Sequence, residues 1–127
     1  MDILVSAPIF PSEDQNKVVQ AVNRIFPSAV LEISEGVAEG RTDIEEFSNQ
    51  IRRQKILDAA RSVMIKGRRK DRTVLLLNKQ AAFAGKISFT DERAVLGAIR
   101  VIIEDEDIDA AINIIAPPTV DGKEVKI

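Results

Sequence analysis

Nine of the 18 lysines and arginines in this 127-residue chain lie between positions 52 and 72: Arg52, Arg53, Lys55, Arg61, Lys66, Arg68, Arg69, Lys70 and Arg72. Guanidinium forks bind phosphate oxygens two at a time and ammonium groups bind them as point charges, so this set suits a polyanion. Only Asp58 and Asp71 oppose it within the segment. The formal net charge of -2 therefore hides a positive middle between two negative ends. Cations near a helix C-terminus also complement its dipole. The cluster Arg68, Arg69, Lys70 and Arg72 is denser than a dipole needs, and the segment reads as a phosphate-contacting patch.

Other polar groupings compete for a role. Asn78, Lys79 and Gln80 follow an apolar run and read either as a polar turn or as a loop that hydrogen-bonds a ligand; Lys86 adds a cation nearby. Glu104, Asp105, Glu106, Asp107 and Asp109 carry the oxygens a magnesium ion takes. Contiguous acids at a helix start, however, match its dipole, and adjacent residues point apart. The glycines show no phosphate-loop spacing. With neither cysteine nor histidine, thiolate nucleophiles, Ser-His pairs and His- or Cys-based metal sites are excluded, leaving carboxylates and lysines for acid-base work. No enzyme activity, cofactor or metal is expected. Tyrosine and tryptophan are absent and only five phenylalanines occur, so recognition by shape and phosphate is expected over stacking on single-stranded bases.

The elements that must position these groups follow from periodicity. Ile3 to Phe10 alternate as a strand, in which Pro8 marks either an edge strand or an early end. Ser12 and Gln15 form a capping box ahead of a helix through Val18, Val22, Ile25 and Phe26, stopped by Pro27. Residues 29–34 and 37–41 flank Glu35 and Gly36 as a hairpin. Thr42 and Glu45 form a second capping box, opening a helix through Ile44, Phe47 and Ile51. Its stripe breaks at Gln54, Lys55 and Asp58 and restarts in a new phase at Ile56, Leu57, Ala60, Val63 and Met64, giving two helices or one sharply kinked helix. Gly67 is expected to end it as a left-handed stop.

Residues 73–77 are apolar enough for a central strand. Residues 83–89 and 95–103 are read as two more, with Gly85 and Gly97 as bulges. A last helix runs through Ile108, Ala111, Ile112 and Ile115 and closes at Pro117 and Pro118. This order predicts a single two-layer α+β domain over residues 1–119, with a mainly antiparallel sheet and helices on one face, and a frayed tail over 120–127. The other face of such a sheet needs cover, for which a homodimer is expected. Apolar runs reach four or five residues, far short of the roughly 20 that span a bilayer. No basic flank and apolar core mark a secretory leader, and a cytoplasmic location is expected.

Three stretches, R-R-Q-K-I-L-D-A-A-R at Arg52 to Arg61, N-K-Q-A-A-F at Asn78 to Phe83 and A-P-P-T at Ala116 to Thr119, give the chain a resemblance to a known family. It resembles, over nearly its whole length, the small archaeal family known as uncharacterised protein family two hundred and one. The resemblance implies a fold similar to that of the five-S-RNA-binding protein of the large ribosomal subunit, an archaeal and cytoplasmic setting, dimerisation and a role in RNA binding. It places the family's charged and amide positions on Arg53, Gln54, Asp58, Arg61, Asn78, Lys79 and Gln80. Asp58 and Arg61, three apart on a helix, can also pair with each other. The expectation is a non-enzymatic domain that binds structured RNA through residues 52–72 together with Asn78, Lys79, Gln80 and Lys86. The competing expectation is a protein-interaction or assembly module whose cations meet an acidic partner, and a carboxylate-only metal nuclease ranks last.

Overall fold

The computed structural model describes residues 1–91, 93, 94 and 96–125. In chain order its elements are β1 (Asp2–Pro8), α1 (Gln15–Ile25), β2 (Glu32–Ser34), β3 (Val37–Thr42), α2 (Glu45–Arg53), α3 (Leu57–Lys66), β4 (Arg72–Leu77), α4 (Lys79–Phe83), β5 (Ile99–Glu104), α5 (Ile108–Ile115), β6 (Thr119–Val120) and β7 (Lys123–Glu124). The first five strands in that list form one antiparallel sheet in the order β2, β3, β1, β5, β4. The expected α+β architecture with an antiparallel sheet is thus present. Strand alternation sets its two faces. Ile3, Val5 and Ala7 of β1, Leu75 and Leu77 of β4, and Ile99, Val101 and Ile103 of β5 are buried, whereas Leu4, Val74, Leu76 and Ile102 are half-buried.

The helices bury their apolar stripes with the first set. Val18, Val22 and Ile25 of α1, Phe47 and Ile51 of α2, Ala60 and Met64 of α3, and Ala111, Ile112 and Ile115 of α5 complete one core. Phe26, just past α1, stacks on Phe47 with ring centroids 5.7 Å apart. Burying each such side chain contributes about 1.5–3 kcal/mol. Among the described residues no helix is long and apolar enough to cross a membrane.

Several local expectations are corrected. Pro8 does not mark an edge: β1 lies in the middle of the sheet, and Pro8 ends it opposite Val37. Neither capping box forms. Asp14, two residues past Ser12, caps α1 by accepting from Asn16 N at 2.9 Å. Thr42 is still part of β3, so its hydroxyl meets Ser28 Oγ at 2.8 Å while Asp43 takes the Glu45 amide. Gly67 ends α3 at φ -84 and is not left-handed. Its lack of a side chain serves contact instead, because a Cβ there would stand 2.6 Å from Val74 O.

The expected strand over 83–89 does not form: Phe83 is the last residue of α4, and the chain then turns at Ala84 and Gly85 and runs on irregularly to Ser88. Asn78 Oδ1 accepts from Ala81 N at 2.9 Å and so caps a helix that the alanines favour. Only Phe89 bridges to the sheet, opposite Leu77. β5 starts at Ile99 rather than near Val95, which lies outside the described residues. Past Thr119, β6 and β7 pair antiparallel through Glu124, where fraying was expected; Lys126 and Ile127 lie outside the described residues.

Candidate nucleic-acid interface

The broken apolar stripe after Ile51 becomes a true break between two helices. Gln54 N closes α2 on Gln50 O at 2.8 Å, Ile56 N returns to Ile51 O at 3.0 Å, and Lys55 between them adopts φ 59. A second lysine, Lys70, has φ 54 in the loop after α3. A side chain in the left-handed region costs about 1–2 kcal/mol that glycine avoids. The Gln54 side chain clasps the loop after α4 from both sides, its Nε2 donating to Gly85 O at 3.2 Å and its Oε1 accepting from Ile87 N at 2.9 Å. Lys86, between those two residues, is thereby held beside the α2–α3 turn.

The arginines of the segment are committed within the fold. Arg52 forks onto Glu124 at 2.9–3.2 Å, tying the C-terminal hairpin to α2, and also donates to Ser48 and to Ile115 O. The Arg52 hydrogen bond holds the Glu124 carboxyl below the usual glutamate range. Arg53 pairs with Glu46 at 2.5 Å, Arg68 with Asp109, and Arg72 with Glu104 directly across the strand pair at 3.7 Å. Arg61 does not pair with Asp58. It donates to Asn113 Oδ1 at 2.7 Å and to Ala116 O at 3.0 Å, while Asp58 accepts from Thr119 Oγ1 at 2.7 Å. These bonds join the first of the three sequence stretches to the third. Arg69 donates to Arg68 O and Lys66 O and meets no carboxylate.

A single continuous positive face is therefore not what the fold builds from the nine cations. Four are neutralised by carboxylates and two are held on carbonyl or amide oxygens. Among the described residues the exposed Lys55, Lys66 and Lys70 have no partner, and Lys86 shares that condition. Lys55 and Lys86 stand at the start of α3, Lys66, Arg69 and Lys70 at its end. No sequence signal separated arginine from lysine here, because each arginine's partner lies beyond the segment or on the backbone.

Asn78, Lys79 and Gln80 open a helix where a polar turn or a loop was expected. Asn78 caps α4, Gln80 is exposed, and Lys79 is 7% exposed. Lys79 Nζ donates to Pro8 O and Leu96 O, each at 2.5 Å, and to Glu13 Oε1 at 3.0 Å, with the Phe10 ring 5.3 Å away. Those three bonds use all three ammonium protons, so Lys79 has nothing left for a ligand and is not among the outward cations. A cleft of about 450 Å³ beside it is lined by Glu13, Lys17, Gln80 and Phe83. Glu13 was missed by sequence reasoning, since nothing in the pattern pairs residues so far apart.

The acidic stretch divides between elements. Glu104 ends β5, Asp107 caps α5 by accepting from Ala110 N, and Asp105 is 3.3 Å from the chain's N-terminal amine. The backbone amide of Asp107, and then that amine, hold the Asp105 carboxyl below the usual aspartate value. Among the described residues no three acidic side chains are grouped to hold a metal ion.

A family model described as RNA binding matches residues 2–105. The chain is 41% identical to a UPF0200/UPF0201 protein of Archaeoglobus fulgidus over 99% of its own length but 40% of that protein's, so it spans two-fifths of that relative. It is 38% identical to a UPF0201 protein of Sulfurisphaera tokodaii, covering 94% of this chain and 90% of the other. The 2.2 Å crystal structure of a UPF0201 protein from Methanococcus jannaschii matches it with a TM-score of 0.88 at 37% identity, over 99% of this chain and 100% of that one.

Proposed function

The chain belongs to the UPF0201 family, and from that premise we propose that it is a non-enzymatic RNA-binding domain that contacts phosphates through the cations around α3. The observation that carries this reading is the match of the RNA binding model to residues 2–105, a span that includes Lys55, Lys66, Lys70 and Lys86. Among the described residues these lysines have no partner and Arg69 meets only carbonyls, so a phosphate can be bound without first displacing a carboxylate. The paired Arg53, Arg68 and Arg72 are on the surface, where such pairs are worth about 0–1 kcal/mol, and they can exchange a carboxylate for a phosphate at small cost.

Titration with structured RNA at several salt concentrations tests the reading. If five cations each neutralise one phosphate, log K falls against log salt with a slope of about -3.5 for a single strand and about -4.5 for a duplex. Absorbance at 260 nm that accompanies the purified protein and is removed by high salt is the cheaper sign. Absence of binding at low salt overturns the reading.

In this reading the domain acts in the cytoplasm and as a homodimer. The half-buried row Leu4, Val74, Leu76 and Ile102 gives a second copy something to cover, and the oppositely charged Glu39 and Arg41 on exposed positions of β3 allow cross-pairing about a two-fold axis. Light scattering at micromolar concentration measures the mass, and a clean monomer removes that part. A second reading, an interaction module, is favoured by the Archaeoglobus relative, a longer protein named for two families, of which this chain matches 40%. It predicts a stable complex with a protein partner and no salt-removable nucleic acid.

A further inference from the structure

Among the described residues, the cations of this region that meet no carboxylate and are not tied to a distant element are not scattered along α3 but gathered at its two ends. Lys55 and Lys86 flank the Gln54 amide at the start, where that amide bonds Gly85 O and Ile87 N. Lys66, Arg69 and Lys70 stand at the finish, Arg69 oriented by the carbonyls of Lys66 and Arg68. The ten residues of α3 separate the two groups by about 15 Å. Between them the helix exposes Asp58, Ala59, Ser62 and Ile65; Asp58 is engaged by the Thr119 hydroxyl, and at Ala59 and Ser62, a methyl and a hydroxyl, a broad shallow surface can approach the backbone closely.

No aromatic ring belongs to this surface. Phe26 and Phe47 stack on each other in the core, Phe10 and Phe83 lie under Lys79 and Arg24, and Phe89 bridges to Leu77. Binders of single strands rely on rings for the bases to stack on. An A-form duplex asks for something else: phosphates on two strands bordering a wide, shallow minor groove lined with 2′-hydroxyls.

Resting on the RNA-binding reading, we propose that the ligand of this surface is double-stranded RNA, with α3 lying across the minor groove. Lys55 and Lys86 hold the phosphates of one strand, Lys66, Arg69 and Lys70 those of the other, and the Ser62 hydroxyl faces the 2′-hydroxyls. The left-handed backbone at Lys55 and Lys70 fits this use, because both positions would suit glycine better were charge not needed there.

Fluorescence anisotropy with three probes of one sequence, an RNA duplex of about 20 base pairs, one of its strands alone and the matching DNA duplex, tests this. The RNA duplex is expected to bind at least about tenfold tighter than either other probe. The pairs Lys55→Gln with Lys86→Gln, and Lys66→Gln with Lys70→Gln, should each weaken it and flatten the log K against log salt slope by about 2. Lys17→Gln, an exposed lysine on α1, serves as the control and should change neither. Ser62→Ala should narrow the preference for RNA over DNA. Far-UV circular dichroism of each variant establishes folding, and any variant that fails it is replaced by reading the same probes against the wild type at rising salt. Equal affinity for the strand alone or for the DNA duplex overturns the duplex inference and leaves RNA binding standing. Loss of slope from one end of α3 only overturns the straddling geometry. Failure of all three probes at low salt overturns the RNA reading itself.

Discussion

At the start of α4, Lys79 is enclosed by two carbonyls and a carboxylate; at the ends of α3, Lys55, Lys66 and Lys70 stand in solvent with no partner among the described residues. Both regions are polar stretches of the same chain and both hold lysines. The difference lies in what the neighbouring backbone offers. The last residue of β1 and the loop before β5 turn Pro8 O and Leu96 O toward one point, and two converging carbonyls draw in a cation. The ends of α3 present no such acceptors to their lysines. Charge density in a sequence counts groups, whereas availability depends on where the fold leaves acceptors unfilled.

Removing the enclosed cation should have the largest effect. Lys79→Met leaves the Glu13 carboxylate, whose side chain is 10% exposed, with the Phe10 amide but no cation, and strips the ammonium from two carbonyls. Breaking one side of a buried pair costs about 3–5 kcal/mol, so urea unfolding should show a loss of that order. A loss below about 1 kcal/mol would mean that water replaces the ammonium and that the two regions differ less than their geometry indicates.

Arg61 comes next. Arg61→Ala leaves the carbonyl of the fully buried Ala116 and the Asn113 amide short of a donor, and should cost about 1–3 kcal/mol. The salt slope of RNA binding should stay unchanged, which would place this arginine with Lys79 and not with the free lysines. A changed slope at unchanged stability would move it to the other side of the comparison.

For the free lysines the sign reverses. Lys55→Gly and Lys70→Gly relieve left-handed strain and, after the added entropy of the unfolded chain, should each raise stability by up to about 1 kcal/mol while weakening RNA binding. Thermal unfolding and the anisotropy titration read the two effects on the same samples. Destabilisation by either glycine would show that the lysine stem packs against something.

The smallest expected effect concerns pH. The Glu124 carboxyl is held below its ordinary value of 4.5 by Arg52. A depressed acid contributes stability that is complete above the unfolded value and is lost as pH falls through the folded one. Amide exchange over 119–124 should therefore be insensitive to the state of this pair above pH 4.5 and rise in excess of the intrinsic rate below it. Glu124→Gln should remove the dependence, and an identical profile in the variant would detach the hairpin from Arg52.

Periodicity located most elements. The antiparallel sheet, the hairpin around Glu35 and Gly36, the break in the helical segment of residues 44–66, read as two helices or a sharp kink, and the last helix before Pro117 all follow from apolar spacing. What failed had local chemistry stronger than the pattern: the Asn78 cap draws Lys79 to Phe83 into a helix that takes the first residue of the expected strand and is followed by a turn at Ala84 and Gly85, and Asp14 took the capping role assigned to Ser12. The specific stretches at Arg52 to Arg61, Asn78 to Phe83 and Ala116 to Thr119 were legible as motifs but not in purpose. Arg61 and Asp58 tie α3 to α5, Ala116 and Thr119, and Gln54 ties the α2–α3 turn to the loop after α4, facts that spacing along one chain does not encode. The free lysines were legible only as members of a larger group, since telling them from the arginines needs the positions of Glu46, Glu104, Asp109 and Glu124.

The central place of β1 bears on how the chain comes off the ribosome. Val5 pairs with Val101, so one side of β1 waits for a partner made roughly a hundred residues later. At about 5–20 residues per second of elongation, that edge is bare for roughly 5–20 s. During the wait β3 can already occupy the opposite side, and α1 can cover the buried face, leaving one open row of amides and carbonyls between Asp2 and Ser6. Such a row is a template for pairing with a neighbouring nascent chain on the same message. The proline at the end of β1 limits how far that mispairing can run before β5 arrives and closes the sheet.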